Sequence, residues 1–131
     1  MKNILIVADD GSAPEGLNRL LSSFGYGVVS DSRGPFALLL LTSGMPEDLV
    51  IIDCLAWSVE MNNALQYVRL QAPHVPVIVL TAQCSFEKYL QTMSLGAYEY
   101  LIKPVADEDI IRTVKTAAGP PRDVNESRAA A

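Results

Sequence analysis

Cysteine is scarce in this 131-residue chain: Cys54 and Cys84 are its only two. They form no CxxC pair and no Cys/His cluster with metal spacing, which excludes a zinc module and leaves a reduced, cytoplasmic setting as the expectation. Long apolar runs are missing too. The longest, Phe36 to Leu41, falls far short of the roughly 20 residues that a membrane-spanning helix needs, so membrane insertion is not expected. Positive charge is in deficit, with 10 Lys and Arg against 15 Asp and Glu, a net charge of -5. No local basic patch offsets it, and such a surface repels a phosphate backbone, which argues against direct nucleic-acid binding by this segment. The N-terminus runs into a strand-like segment rather than the charged and apolar regions of a secretory signal. Internal repeats are absent.

What is present describes one compact domain: 50% of residues are apolar and 19% charged, and the length allows a single buried core with no room for a second. Four short runs rich in Ile, Val and Leu read as strands buried on both faces: Ile4–Val7, Leu49–Ile52, Val77–Leu80 and Tyr98–Ile102. A weaker fifth is Gly27–Ser30. Between them lie segments of helical period. Leu17, Leu20, Leu21 and Phe24 form one stripe, with Ser12 as its expected cap and Pro14 suited to its first turn. Tyr89, Leu90 and Met93 form another, with Gly96 as its stop. In the last helix Asp107, Glu108 and Asp109 meet the positive end of the dipole, Ile110, Ile111 and Val114 face the core, and Arg112 and Lys115 follow. Strand and helix thus alternate five times, which predicts an α/β, doubly wound (βα)5 fold with a parallel sheet in the order 2-1-3-4-5. The domain is expected over residues 1–118, and 119–131, which lack hydrophobic period, read as a linker or tail.

In such a sheet, ligands bind outside the carboxyl ends of the strands. Asp9 and Asp10 follow the first strand, Asp53 ends the third, Thr81 ends the fourth, and Lys103-Pro104 follows the fifth. These are the residue types that phosphoryl transfer to a carboxylate requires, where catalysis is mostly positioning and charge neutralisation. Asp53 is the candidate nucleophile. Its attack brings two anions together, so a hard divalent cation is expected, and Mg²⁺ favours one or two carboxylates plus water and phosphate oxygens. Asp9 and Asp53 supply the carboxylates, Lys103 a point charge and Thr81 a hydroxyl for the remaining phosphoryl oxygens.

The stretches Ile4–Val7 with Asp9, Leu49–Asp53, Val77–Ala82 and Gly96–Pro104 resemble the signatures of the response-regulator receiver family, with a match running from about Lys2 to Ala118. The resemblance implies a flavodoxin-like fold of five parallel strands and a phospho-switch rather than an enzyme with its own substrate. Asp53 would accept a phosphoryl group from a histidine kinase or phosphotransfer protein, with Mg²⁺ as cofactor. It also implies a cis Lys103–Pro104 peptide that aims the lysine inward, metal coordination by the backbone carbonyl of Leu55, and Tyr100 as the switch aromatic that moves inward with Thr81. The signal would emerge on the face carrying the fourth helix, fifth strand and fifth helix, a surface for a homodimer or another partner. Transcription regulation would belong to an output module whose nature is not legible in this segment.

The chain departs from the family pattern in three places. Where two consecutive acids usually follow the first strand, Ala8 stands at the first and Asp9 at the second, so a raised Mg²⁺ requirement is expected unless Asp10 substitutes. After Asp53, Trp57-Ser58 replaces a common Pro-Gly turn, and Met61 stands where a glycine is usual. Leu55 and Gln83 occupy positions that in this family influence phosphoryl hydrolysis; Leu55 cannot orient water, and a moderately long-lived phosphoryl group is expected. Three rival functions remain in view. A haloacid-dehalogenase-type phosphatase would need its nucleophile at Ala8. A flavodoxin would need a hydroxyl-rich first loop where carboxylates stand. A degenerate receiver would act as an unphosphorylated interaction module.

Overall fold

A computed structural model describes residues 1–9, 14–31 and 48–121. In chain order these form β1 (Asn3–Ala8), α1 (Glu15–Ser23), β2 (Gly27–Asp31), β3 (Leu49–Cys54), α2 (Val59–Gln71), β4 (Val77–Thr81), α3 (Phe86–Ser94), β5 (Glu99–Ile102) and α4 (Asp107–Ala118). The five strands make one sheet in the order β2-β1-β3-β4-β5, every neighbouring pair parallel. The expected α/β architecture and strand order are therefore observed. The second of the five expected helices, the cap Ser12 and the acid Asp10 lie outside the described residues. The fourth and fifth expected helices are α3 and α4.

The inner strands β3 and β4 are buried along their whole length, as is β1 after Asn3. Alternation along them divides the core in two. Leu5, Val7, Val50, Ile52, Val77 and Val79 pack beneath Met61, Leu65 and Val68 of α2 and beside Tyr100. Ile4, Ile6, Leu49, Ile51, Ile78 and Leu80 pack against Leu21 of α1 and Ile111 and Val114 of α4. A continuous Val/Ile/Leu run lets each strand give alternate side chains to both layers, which is how a parallel sheet is covered.

Local signals set the helix boundaries. Ser58 and Ser85 cap α2 and α3, their hydroxyls accepting the N–H of Met61 and Lys88 at 3.2 Å each,. The helix α3 ends before Gly96, whose φ of +99° lies in the left-handed region, where a side chain is strained. Pro14 takes the cap position of α1 itself rather than a place in its first turn. Past α4 the chain stays beside the starts of β1 and β2: the Tyr26 hydroxyl donates to the Gly119 carbonyl at 2.8 Å and the Lys2 N–H to that of Pro121 at 2.9 Å.

Ile51 is 1% exposed at the centre of the α1/α4 layer, whereas Leu70 on α2 is 80% exposed. Urea denaturation should find Ile51→Ala destabilised by about 2–5 kcal/mol, while Leu70→Ala stays within about 0.5 kcal/mol of the parent.

Candidate functional site

Register decides which side chains meet at the carboxyl edge of the sheet. Asp53 pairs with Ala8 of β1 and Leu80 of β4, while Cys54 pairs with Thr81. Asp53 shares the phase of Leu49 and Ile51 and so lies on the α1/α4 side, where it is 5% exposed. A carboxylate that is so enclosed requires a cationic or hydrogen-bonding partner. Lys103 supplies it: one residue beyond β5, its ammonium forms an ion pair with Asp53 Oδ1. The lysine is held in turn by its backbone N–H, which donates to the Thr81 carbonyl at 2.8 Å, and the Lys103–Pro104 peptide is cis. Both residues line a cavity of about 530 Å³, with Leu17 and Leu20 of α1 and Val105 and Ile110 on its other walls.

Asp9 follows β1 directly, and its backbone N–H donates to the Asp53 carbonyl at 3.3 Å. The neighbouring Ala8 is wholly buried, so the phosphatase register would place a methyl group where its nucleophile belongs.

Thr81 belongs to the other layer. It follows Val77 and Val79 in phase, is fully buried, and donates its hydroxyl to the Leu55 carbonyl at 3.2 Å rather than toward Asp53. The same carbonyl accepts the Ala82 N–H at 3.1 Å. The loops after β3 and β4 are stitched together once more by Gln83, whose Oε1 accepts the Trp57 N–H at 2.9 Å. Gln83 is a junction: its own N–H donates to Thr81 Oγ1 at 3.1 Å, and its carbonyl accepts the Tyr100 hydroxyl at 2.9 Å. Tyr100 lies inward, 4% exposed, edge-on to Tyr89 of α3 at 5.9 Å between ring centroids. Asp53 and Lys103 are thus brought into contact, Thr81 meets Lys103 through its backbone carbonyl, and Tyr100 is linked to Thr81 through Gln83.

Sequence reasoning singled out Gln83 by its position but missed the junction it forms. Two of its three bonds use backbone groups, to which residue identity is blind; the carboxamide at position 83 was the only available signal. Trp57 is 6% exposed, with its indole Nε1 buried and without a hydrogen-bond partner, which makes it a sensitive reporter of these loops.

The groups expected to hold a divalent cation, the carboxylates of Asp9 and Asp53 and the carbonyl of Leu55, are all hard oxygens. Among the described residues no group of three or more His, Cys, Asp and Glu gathers as a metal cage. One or two carboxylates with water is the arrangement Mg²⁺ prefers, so these residues fit that ion. Asp9, Asp53 and Lys103 all act on the Cys54 thiol, a sign that their charges converge.

Comparison with known proteins agrees with this geometry. Residues 4–115 match the family model of the response regulator receiver domain. Response regulator MprA of Mycolicibacterium vanbaalenii is 33% identical over 112 residues, which cover 86% of this chain and 48% of that protein. The chain therefore spans about half the length of this relative. A response regulator receiver domain protein from Clostridium thermocellum superposes with a TM-score of 0.77 at 25% identity, each chain covered in full (100% and 100%). The receiver domain of a sensor histidine kinase from Pseudomonas aeruginosa, with a magnesium ion coordinated in its active-site cleft, has the same fold, with a TM-score of 0.76 at 23% identity over 90% of this chain and 98% of that one. No helix among the described residues is long and apolar enough to cross a membrane.

Burial pushes the Cys54 thiol up to about 11; the charges of Asp9 and Asp53 add to the shift, against the side-chain contact with Thr81 and the charge of Lys103. The thiolate is the nucleophile, so a buried thiol held protonated is inert. At pH 8 a maleimide should label the exposed Cys84 and leave Cys54 untouched until the protein is unfolded, as peptide mapping of the labelled chain will read.

Proposed function

The chain belongs to the response regulator receiver domain family, and from that premise we propose that it is a phospho-switch whose acceptor is Asp53. The observation that carries this reading is the Lys103–Asp53 ion pair, set in a cavity between α1 and the start of α4. A carboxylate oxygen of Asp53 attacks phosphorus as the bond from phosphorus to a donor imidazole nitrogen breaks. The nitrogen keeps the electron pair and takes a proton from water, and Asp53 becomes an acyl phosphate. Lys103 already lies beside the attacking carboxylate, so its charge meets the arriving phosphoryl oxygens without crossing open solvent. Mg²⁺, when bound, neutralises the charge between the two anions; Asp9, Asp53 and the Leu55 carbonyl would hold it, and Asp10 is a further candidate. The magnesium in the cleft of the Pseudomonas receiver supports this assignment by analogy.

The donor is a histidine kinase or phosphotransfer protein, and the cavity beside α1 is its route, because that is where Asp53 faces. The output surface is the α3–β5–α4 face, where Phe86, Leu90, Tyr98 and Ile102 are exposed; four large apolar side chains in the open suit a homodimer or a partner. The receiver unit comprises residues 1–118, with 119–131 as a linker or tail; the chain covers 48% of the length of MprA. The switch acts in the cytoplasm and turns over no substrate beyond its own phosphoryl group.

Beryllofluoride imitates a phosphoryl group on a carboxylate. With Mg²⁺ present it should change the fluorescence of Trp57, and Asp53→Asn should abolish the response. Lys103→Met should slow phosphorylation by a small phosphodonor about 100-fold. A silent parent protein would favour an unphosphorylated interaction module instead.

A further inference from the structure

Thr81 has one hydroxyl proton, and it points at the Leu55 carbonyl, 3.2 Å away. The Ala82 N–H reaches the same oxygen at 3.1 Å. A carbonyl oxygen has two lone pairs, so both are engaged. A cation can take a place on that oxygen only when one donor withdraws. The Ala82 N–H is fixed in the backbone just past β4, whereas the Thr81 hydroxyl turns about a single side-chain bond between staggered positions. The hydroxyl is the donor that yields.

We propose that the Thr81 hydroxyl blocks the Leu55 carbonyl in the resting protein and competes with the divalent cation for it. Freed from Leu55, a fully buried hydroxyl needs a new acceptor, and a phosphoryl oxygen on Asp53 is the one the reaction supplies. The two events favour each other, because one proton cannot serve both oxygens. Metal at Leu55 releases Thr81 for the phosphoryl group, and the phosphoryl group, by engaging Thr81, clears the carbonyl for the metal. Linkage makes that coupling reciprocal. The inference rests on the acceptor and metal assignments proposed above, and adds to them a reason for Thr81 to sit in the opposite layer from Asp53.

The test is a Mg²⁺ titration of the unphosphorylated chain, followed by Trp57 fluorescence and by calorimetry, in the parent, Thr81→Val and Thr81→Ser. Removing the competing hydroxyl should tighten Mg²⁺ binding about two- to tenfold, the equivalent of one neutral hydrogen bond, while Thr81→Ser, which keeps the hydroxyl, should bind as the parent does. A structural defect would weaken binding, so the direction separates the two causes. If Thr81→Val does not fold, Thr81→Ala serves. Equal or weaker binding by the hydroxyl-free variant overturns the competition. A parent chain that binds no Mg²⁺ overturns the metal assignment itself, and the inference falls with it.

Discussion

A carboxylate enclosed at the end of a central strand is tolerated only if a cation meets it, and the Lys103–Asp53 ion pair answers that need,. Much of the fold can be read as the means of bringing the two together. They are 50 residues apart in sequence, and they meet because β4 alone separates β3 from β5 in the sheet. Removing either partner leaves the other charge uncompensated, so the pair constrains stability and chemistry at once. It also places the lysine ammonium beside the Asp53 carboxylate in the cavity.

Around that pair the two loops after β3 and β4 form one unit rather than two. Thr81, Ala82 and Gln83 reach across to Leu55 and Trp57, and Gln83 continues the connection to Tyr100. Any event that moves Thr81 disturbs the Gln83 N–H, and any shift of Gln83 is felt at the hydroxyl of Tyr100. The aromatic is already inward and stacked edge-on against α3, so a signal leaving this site does not require the ring to travel from solvent. The hydroxyl at its tip ties the ring, and through it α3 and β5, to the loop that holds Thr81.

The fold was legible because β1, β3 and β4 are nearly uninterrupted Val/Ile/Leu runs bounded by turn residues, the pattern of a strand covered on both faces. Asp53 was legible for the same reason, because it falls at the end of such a run, whereas Lys103 follows the Leu101-Ile102 end of β5; strand ends converge once strand order is known. The direction of Thr81 was not. Its position at the end of β4 could be read, but its phase depends on register, and register pairs it with Cys54 rather than with Asp53. Gln83 was hidden because its backbone carries two of its three bonds. Pro14 as a cap, in place of the first turn, was missed because a proline fits either position when its absent N–H has no partner to lose.

The central claim is that Asp53 receives the phosphoryl group. An acyl phosphate can be reduced by borohydride, which converts the modified aspartate to homoserine and leaves free carboxylates unchanged. The chain, incubated with Mg²⁺ and a small phosphodonor and then reduced, should yield homoserine at position 53 alone when its peptides are sequenced by mass spectrometry. Homoserine at Asp9 or another acid, or none at all with the donor consumed, would contradict the account.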